Sequence, residues 1–201
     1  MGDEKILVVG CGGLGGYVIE ELARLGVKNL LLCDGDTFCE SNRNRQLESG
    51  LDTLGKSKAA VYEERLKRKH GVAATAINAY LTEENADLLA SVDLVMDCVD
   101  TIEARLFLER LCEKYGKILV HGGLEGSCGQ VCLCYPGDGT LKKLYRDGRE
   151  KKHRTNAYTV AAVASMQVSL AEKVLTRRAD EYKNKLYLID MDDPSVETVK
   201  L

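Results

Sequence analysis

The sequence predicts an α/β fold: a doubly wound sheet, parallel in its first half and with antiparallel strands in its second. Three observations lead there. The apolar run Ile6-Leu7-Val8-Val9 is followed at once by Gly10, Gly12 and Gly15 at G-x-G-x-x-G spacing. Short apolar runs and helix-patterned segments then alternate as far as residue 120, the rhythm of a parallel sheet covered by helices on both faces. Beyond that point the pattern changes to alternating strands separated by turn residues. Together these define a Rossmann-like architecture.

The first unit organises the rest. Residues 6–9 are rich in β-branched side chains, as a strand buried on both faces requires. Val18, Leu22 and Leu25 fall on one face of the helix that follows, and Gly26 can close it. A second buried run, 30–33, ends in Asp34, about twenty positions after Gly15. Glycines let the backbone turn tightly and approach a phosphate, the helix N-terminus offers free N–H groups, and an acid at the second strand tip accepts from a ribose. A glycine fingerprint alone is weak; between strand and helix, with an acid at the right distance, it points to a nucleotide.

The remaining elements follow in order. The polar run 40–46 reads as a loop or short 3₁₀ turn, and 56–69 as a helix with Ala59, Ala60, Val61, Tyr62 and Leu66 partly inward, stopped by Gly71. A weak strand spans 73–79, and Thr82 starts a helix leading to Leu88 and Leu89. Residues 93–97 form a buried strand closing on Cys98-Val99-Asp100-Thr101. The helix over 102–115 has Leu106, Phe107, Leu111 and Cys112 on one side and Gly116 at its end. A strand at 118–120 precedes an alternating strand at 129–135, a turn at 136–139 and a basic loop at 141–154. Residues 156–175 make an apolar helix with small residues, Ala161, Ala162, Ala164 and Ser165, packed at the centre. Two strands at 186–191 and 196–201, joined by a turn, close the chain. The whole reads as one domain, with 1–121 the nucleotide-binding half and 122–201 a mixed-strand, partner-binding half.

Composition narrows the function. The 201 residues hold 28 Lys and Arg against 31 Asp and Glu, a net charge of −3, which leaves no electrostatic footprint for nucleic acid or membrane. No signal peptide or bilayer-length apolar run is visible, so a cytoplasmic protein is expected. The eight cysteines contain no C-x-x-C pair, so a structural zinc is not expected. They read as reduced thiols, with Cys132 and Cys134 sharing one strand face.

Three polar clusters fall at or beyond strand ends: Asp34-Gly35-Asp36, the Asn42/Arg45/Gln46 loop, and Asp97/Asp100. Lys58 adds a cation at a helix start; alone it reads as a solvated surface charge. A hydride-transfer enzyme has no need of Arg45, Lys58 and Asp100 around the first strand, whereas a nucleoside triphosphate does. Cations offset charge on the α-phosphate and the departing pyrophosphate, and Asp100 suits Mg²⁺, a hard ion that prefers oxygen ligands.

These residues carry a family resemblance. G-C-G-G-L-G at 10–15, C-D-G-D at 33–36, S-N-R-N-R-Q at 41–46, G-K-S-K at 55–58 and D-C-V-D-T at 97–101 resemble the ThiF/MoeB/HesA branch of the ubiquitin-activating-enzyme-like superfamily. Gly129-Gln130 and the helix around Gln167 extend the likeness. The resemblance implies adenylation of the C-terminal glycine of a small ubiquitin-like sulfur carrier ending in Gly-Gly, of the thiamine or molybdopterin type, with ATP and Mg²⁺. It implies that Gly10, Gly12 and Gly13 admit the nucleotide and Asp34 holds the ribose. Asn42, Arg45, Gln46 and Lys58 would line the phosphates, and Asp100 would bind Mg²⁺. Arg45, Lys58 and Asp100 would be catalytic. It also implies a homodimer.

The chain departs from that pattern in several places. Many relatives carry an N-terminal arm whose arginine serves the neighbouring subunit; here the strand begins by Ile6, and Arg43 or the 141–154 loop is the candidate substitute. The family's zinc pairs have no counterpart; the first is replaced near 141–145. Thr101 stands where many relatives have Asn. Lys152-His153-Arg154-Thr155 contains no Cys, so no thioester is expected there. Cys128 reads as a buried strand-end thiol and His153 as an ordinary loop histidine. The competing readings are a tRNA threonylcarbamoyladenosine dehydratase, a non-catalytic nucleotide-binding scaffold and an NAD-dependent oxidoreductase.

Overall fold

The computed structural model describes residues 3–146, 148 and 155–201. Lys5–Val9 (β1) leads through Gly13–Arg24 (α1) to Asn29–Cys33 (β2). Lys58–His70 (α2) and Ala73–Ile77 (β3) follow, then Leu94–Asp97 (β4) and Ile102–Tyr115 (α3). Leu119–Glu125 (β5) and Cys128–Cys134 (β6) precede the short helix Thr140–Leu144 (α4). Ala157–Leu175 (α5), Lys185–Asp190 (β7) and Ser195–Lys200 (β8) complete the chain. All eight strands lie in one sheet, ordered β3-β2-β1-β4-β5-β6-β7-β8. Pairs from β3 to β5 are parallel and those from β5 to β8 antiparallel, so the predicted fold class holds. The strand order reverses between β1 and β4, which opens a crevice at their carboxyl ends.

Alternation along β1 builds two cores. Ile6 and Val8 face α1, α2 and α5, where Val18, Ile19, Leu22, Leu66 and Val163 close over them. Leu7 and Val9 face α3 and α4, against Leu108, Leu111 and Leu141. Both faces are covered, which is why β1, β2 and β4 read as unbroken apolar runs. β8 is the exception: it lies at the sheet edge with every residue exposed, and carries Glu197 and Lys200, charges of the kind that discourage edge-to-edge pairing.

Several expectations need correction. The strand expected to stop at residue 120 runs on to Glu125. Gly122 and Gly123 look like breakers, but a Cβ on Gly122 would lie 2.4 Å from the Gln167 carboxamide carbon, so glycine here admits a side chain from α5 rather than ending the strand. The segment after Thr82 is a 3₁₀ helix, Glu83–Ser91. On α3 the fully buried apolar residues are Leu108, Leu111 and Cys112, with Arg105 beside them, whereas Leu106 and Phe107 are half-buried. The basic loop expected from residue 141 opens with α4; His153 and the rest of 149–154 lie outside the described residues. α5 packs on α1, with Ser165 Oγ donating to Glu21 Oε1 at 2.8 Å, as the small residues on its surface anticipate.

All eight cysteines are free thiols, and Cys132 and Cys134 are buried on one face. Cys128, expected to be buried, is exposed, because it opens β6 immediately after the β5–β6 turn. Among the described residues, no helix is long and apolar enough to cross a membrane.

Glu20 ties α1 to α2. Its carboxylate meets Arg24 Nε at 2.7 Å, Lys69 Nζ at 2.7 Å and His70 Nε2 at 3.1 Å. Burial works against ionisation, but the hydrogen bonds from Lys69, His70 and Arg24 outweigh it and hold the carboxyl at about 2. Because the folded-state value is depressed, the stabilisation is complete above the ordinary 4.5 and is lost as pH falls toward 2. Glu20→Gln is expected to cost about 1 kcal/mol at pH 7, with the gap from wild type closing across that acid window; urea unfolding at a series of pH values measures both.

Candidate functional site

The crevice is shaped by backbone packing. Gly10 has φ +91°, and a Cβ on it would lie 2.5 Å from the Cys98 carbonyl oxygen. A Cβ on Gly15 would lie 1.8 Å from the Gly10 carbonyl oxygen. Only glycine permits β1, β4 and α1 to approach this closely. α1 begins at Gly13 with Gly12 at its cap and no side-chain capping bond, so its first N–H groups face the crevice and the positive end of its dipole is available to an anion.

Asp34, at the tip of β2, is buried and accepts from two backbone amides: Cys11 N–H at 2.6 Å and Asp36 N–H at 2.7 Å. Burial raises its carboxyl above the usual range against those hydrogen bonds. The acid expected to face a ribose therefore also ties the glycine turn to β2. Asp36 accepts from the Tyr80 hydroxyl and pairs with Lys58 Nζ at 2.9 Å; both partners lower its carboxyl. Lys58 is not a solvated charge: its side chain is 7% exposed, held at the start of α2 beneath Asp36.

The 40–46 turn closes the other side. Asn42 is buried, and its side-chain oxygen accepts from Cys39 N–H at 3.0 Å, capping the 3₁₀ helix Glu40–Asn42. Gln46 is buried beside Gly12, its Oε1 without a hydrogen-bond partner among the described residues. Arg45 lies against Gly13 and donates to Ser41 O at 3.0 Å and Asn44 Oδ1 at 2.9 Å. Arg43, the candidate substitute for an arm arginine, pairs with Glu40 at 2.6 Å. Asp100 is exposed in the turn after β4. Gly10, Gly12, Gly13, Arg45 and Gln46 are thus gathered around one helix N-terminus. Asp34, Asp36 and Lys58 form a second group on the β2 side, and Asp100 stands beyond β4.

Sequence reasoning placed Asp97 with Asp100 at a strand end and missed the third group, which Asp97 forms with His121. Asp97 and His121 are fully buried and meet at 2.6 Å. Tyr145, Gln130 and Arg105 surround them. The available signal was a histidine inside an apolar strand, next to a strand that ends in Asp97. Gln167, noted only as part of the resemblance, donates to Asp97 O at 2.9 Å and Val120 O at 3.0 Å.

An uncapped helix N-terminus, a buried acid at the neighbouring strand tip and two flanking cations, set on a doubly wound sheet, define a Rossmann-like α/β protein with a crevice open to an anion. The chain belongs to the ThiF family, whose family model matches residues 1–201. It is 32% identical over 197 residues to the molybdopterin-synthase adenylyltransferase of Escherichia coli (strain K12), a match covering 94% of this chain and 79% of that protein. It is 34% identical over 125 residues to the tRNA threonylcarbamoyladenosine dehydratase of Haemophilus influenzae, covering 60% of this chain and 48% of that one. Among solved structures, E. coli MccB with ATP aligns at TM-score 0.81 and 20% identity over 98% of this chain. The match spans 64% of MccB, under two thirds of its length, and at that identity the likeness is one of fold.

Asp34→Asn tests the double clamp. Two N–H donors face the carboxylate, while an amide offers one acceptor oxygen and turns an NH₂ toward the other donor. The variant should lose about 1–3 kcal/mol of stability, read by urea unfolding at pH 7.

Proposed function

We propose that this chain is an ATP-dependent adenylyltransferase that activates the C-terminal glycine carboxylate of a small ubiquitin-like sulfur carrier as an acyl-adenylate. The observation that carries this reading is the gathering of Gly12, Gly13, Arg45 and Gln46 at the α1 N-terminus, with Asp34 and Lys58 on the adjoining strand end. The name of the molybdopterin-synthase relative supports the same substrate class.

In this reading the triphosphate lies along the start of α1. Gly10, Gly12 and Gly13 give it access to the backbone, and Asp34 accepts from the ribose hydroxyls with the lone pairs left over from its two amide bonds. Asn42, Arg45, Gln46 and Lys58 line the phosphates, and Lys58 exchanges part of its contact with Asp36 for phosphate oxygen. Asp100 fits Mg²⁺ that arrives with ATP: a single exposed carboxylate suffices for an ion that takes its other oxygens from phosphate and water. When bound, Mg²⁺ neutralises phosphate charge. No group of three or more His, Cys, Asp or Glu among the described residues could hold a metal ion by itself.

The carrier's terminal carboxylate, with a reference pKa of about 3.5, is ionised at neutral pH, so the step needs no general base. Its oxygen forms a bond to the α-phosphorus as the bond to the bridging oxygen breaks, and pyrophosphate departs with the electron pair. Arg45 and Lys58 stabilise the charge that grows on the α-phosphoryl oxygens and the leaving group. The working unit in this reading is a cytoplasmic homodimer.

The tRNA dehydratase relative favours a second reading, in which ATP activates a carboxylate on a modified nucleoside. The acidic balance of this chain weighs against a polyanionic partner. Pyrophosphate exchange stimulated by a carrier ending in Gly-Gly, and not by tRNA, is the expected outcome. Exchange stimulated by tRNA alone would shift the assignment, and no ATP turnover together with NAD binding would overturn both. Arg45→Ala and Lys58→Ala should each slow exchange by about 10²–10³-fold, and Asp100→Ala should abolish the Mg²⁺-dependent exchange.

A further inference from the structure

The group that the nucleotide reading leaves unused is the buried polar cluster between β4, β5 and β6. Asp97 and His121 have no exposed side-chain surface, and Asp97 Oδ2 meets His121 Nδ1 at 2.6 Å. On the far side of the ring, His121 Nε2 lies 3.0 Å from the Tyr145 oxygen and 3.3 Å from Gln130 Nε2. Gln130 Nε2 donates to the Tyr145 oxygen at 2.7 Å. Hydrogen-bond chemistry gives this chain one consistent direction. An amide nitrogen only donates, so the tyrosine oxygen accepts from it and passes its own proton toward the imidazole; the imidazole Nδ1–H then donates to the carboxylate. In that direction the bonds run from Gln130 to Tyr145 to His121 to Asp97.

The cluster ends on the turn that carries Asp100. The second oxygen of Asp97 accepts from Val99 N–H at 3.2 Å. Arg105 Nη2 donates to Val99 O at 3.1 Å, and its guanidinium lies over the Tyr145 ring, 5.4 Å from the centroid. Both backbone groups of Val99 are therefore gripped, one by Asp97 and one by Arg105, and Tyr145 reaches both grips, through His121 and through its ring. A buried polar cluster is costly unless its members are satisfied, and apolar residues of similar volume would hold a core at least as well. What these residues supply that apolar ones cannot is a directed hold on one turn.

We propose that His121 and Tyr145, with Gln130, are positioning residues that hold the Val99–Asp100 turn in register, so that Asp100 presents its carboxylate to the metal that accompanies the nucleotide. The inference rests on the adenylation reading for the role of Asp100. Among the described residues, no hydrogen bond or ring contact links the three to the glycine turn, Arg45 or Lys58; they act through Asp97 and Arg105. Changes to groups that orient a metal ligand commonly cost 10–100-fold in metal affinity or activity.

The experiment uses the full chain with two mild variants. Tyr145→Phe keeps the ring and removes the hydroxyl. Gly123→Ala sets a methyl 3.0 Å from that hydroxyl and 3.1 Å from Gln130 Cγ. Two quantities are read: amide hydrogen exchange at Val99 in the protein without nucleotide, and the Mg²⁺ concentration giving half-maximal pyrophosphate exchange. The expected result is faster exchange at Val99 in both variants and an increase of about 10-fold in the Mg²⁺ requirement, with the rate restored at saturating Mg²⁺. Unchanged Val99 exchange in folded variants overturns the relay, as does an unchanged Mg²⁺ requirement. If the wild type performs no pyrophosphate exchange, the adenylation reading falls and Val99 exchange alone decides whether the relay holds the turn. His121→Gln serves as a second probe of the same amide.

Discussion

Three stretches of main chain meet at the head of β1 with no room for a side chain between them. Gly10 lies against the Cys98 carbonyl and Gly15 against the Gly10 carbonyl, so a methyl group at either place would push α1 off the sheet or β4 away from β1. The switch point of the sheet, the aim of the α1 N-terminus and the position of the turn after β4 all follow from this contact. Asp34 completes it from the β2 side by accepting from Cys11 N–H. The opening at the α1 N-terminus is therefore a by-product of backbone packing, and the charged side chains are arranged around it.

Around that opening, each cation is tied down by nearby acceptors. Lys58 is tied to Asp36, and Arg45 is satisfied by a backbone carbonyl and the Asn44 amide. Such contacts keep long cationic side chains ordered, and in the proposed reading they are exchanged for phosphate oxygens. Asp97 and Asp100, three positions apart at the end of β4, have opposite surroundings: one is sealed beneath His121 and the other faces solvent. Burial makes the first structural and leaves the second available.

Local pattern made much of this legible. The β1–α1–β2 unit, the limits of α3 and the closing hairpin can be read because buried strands, helical periodicity and turn residues are encoded over a few positions. The motifs around Arg45, Lys58 and Asp100 were likewise readable as residue types. What could not be read depends on contacts distant in the chain. Lys58 looks exposed until Asp36 is folded over it. Gly122 and Gly123 resemble a strand terminus until Gln167 and Tyr145 arrive to use the space. His121 sits in an apolar run whose meaning depends on Asp97, Gln130 and Tyr145, each on a different element. Cys128 differs from its buried neighbours only because the hairpin turn brings it to the surface.

The central strand must wait for one of its two partners. Lys5 N–H reaches Asp93 Oδ2 across 88 residues of sequence, and β4 pairs with β1 just beyond that point. At roughly 5–20 residues per second, a ribosome takes about 4–18 s to make that interval. During that time one flank of a strand that is apolar from Ile6 to Val9 has no neighbour, so the nascent chain passes through a stage in which its stickiest segment is bare and chaperone capture has its best opportunity.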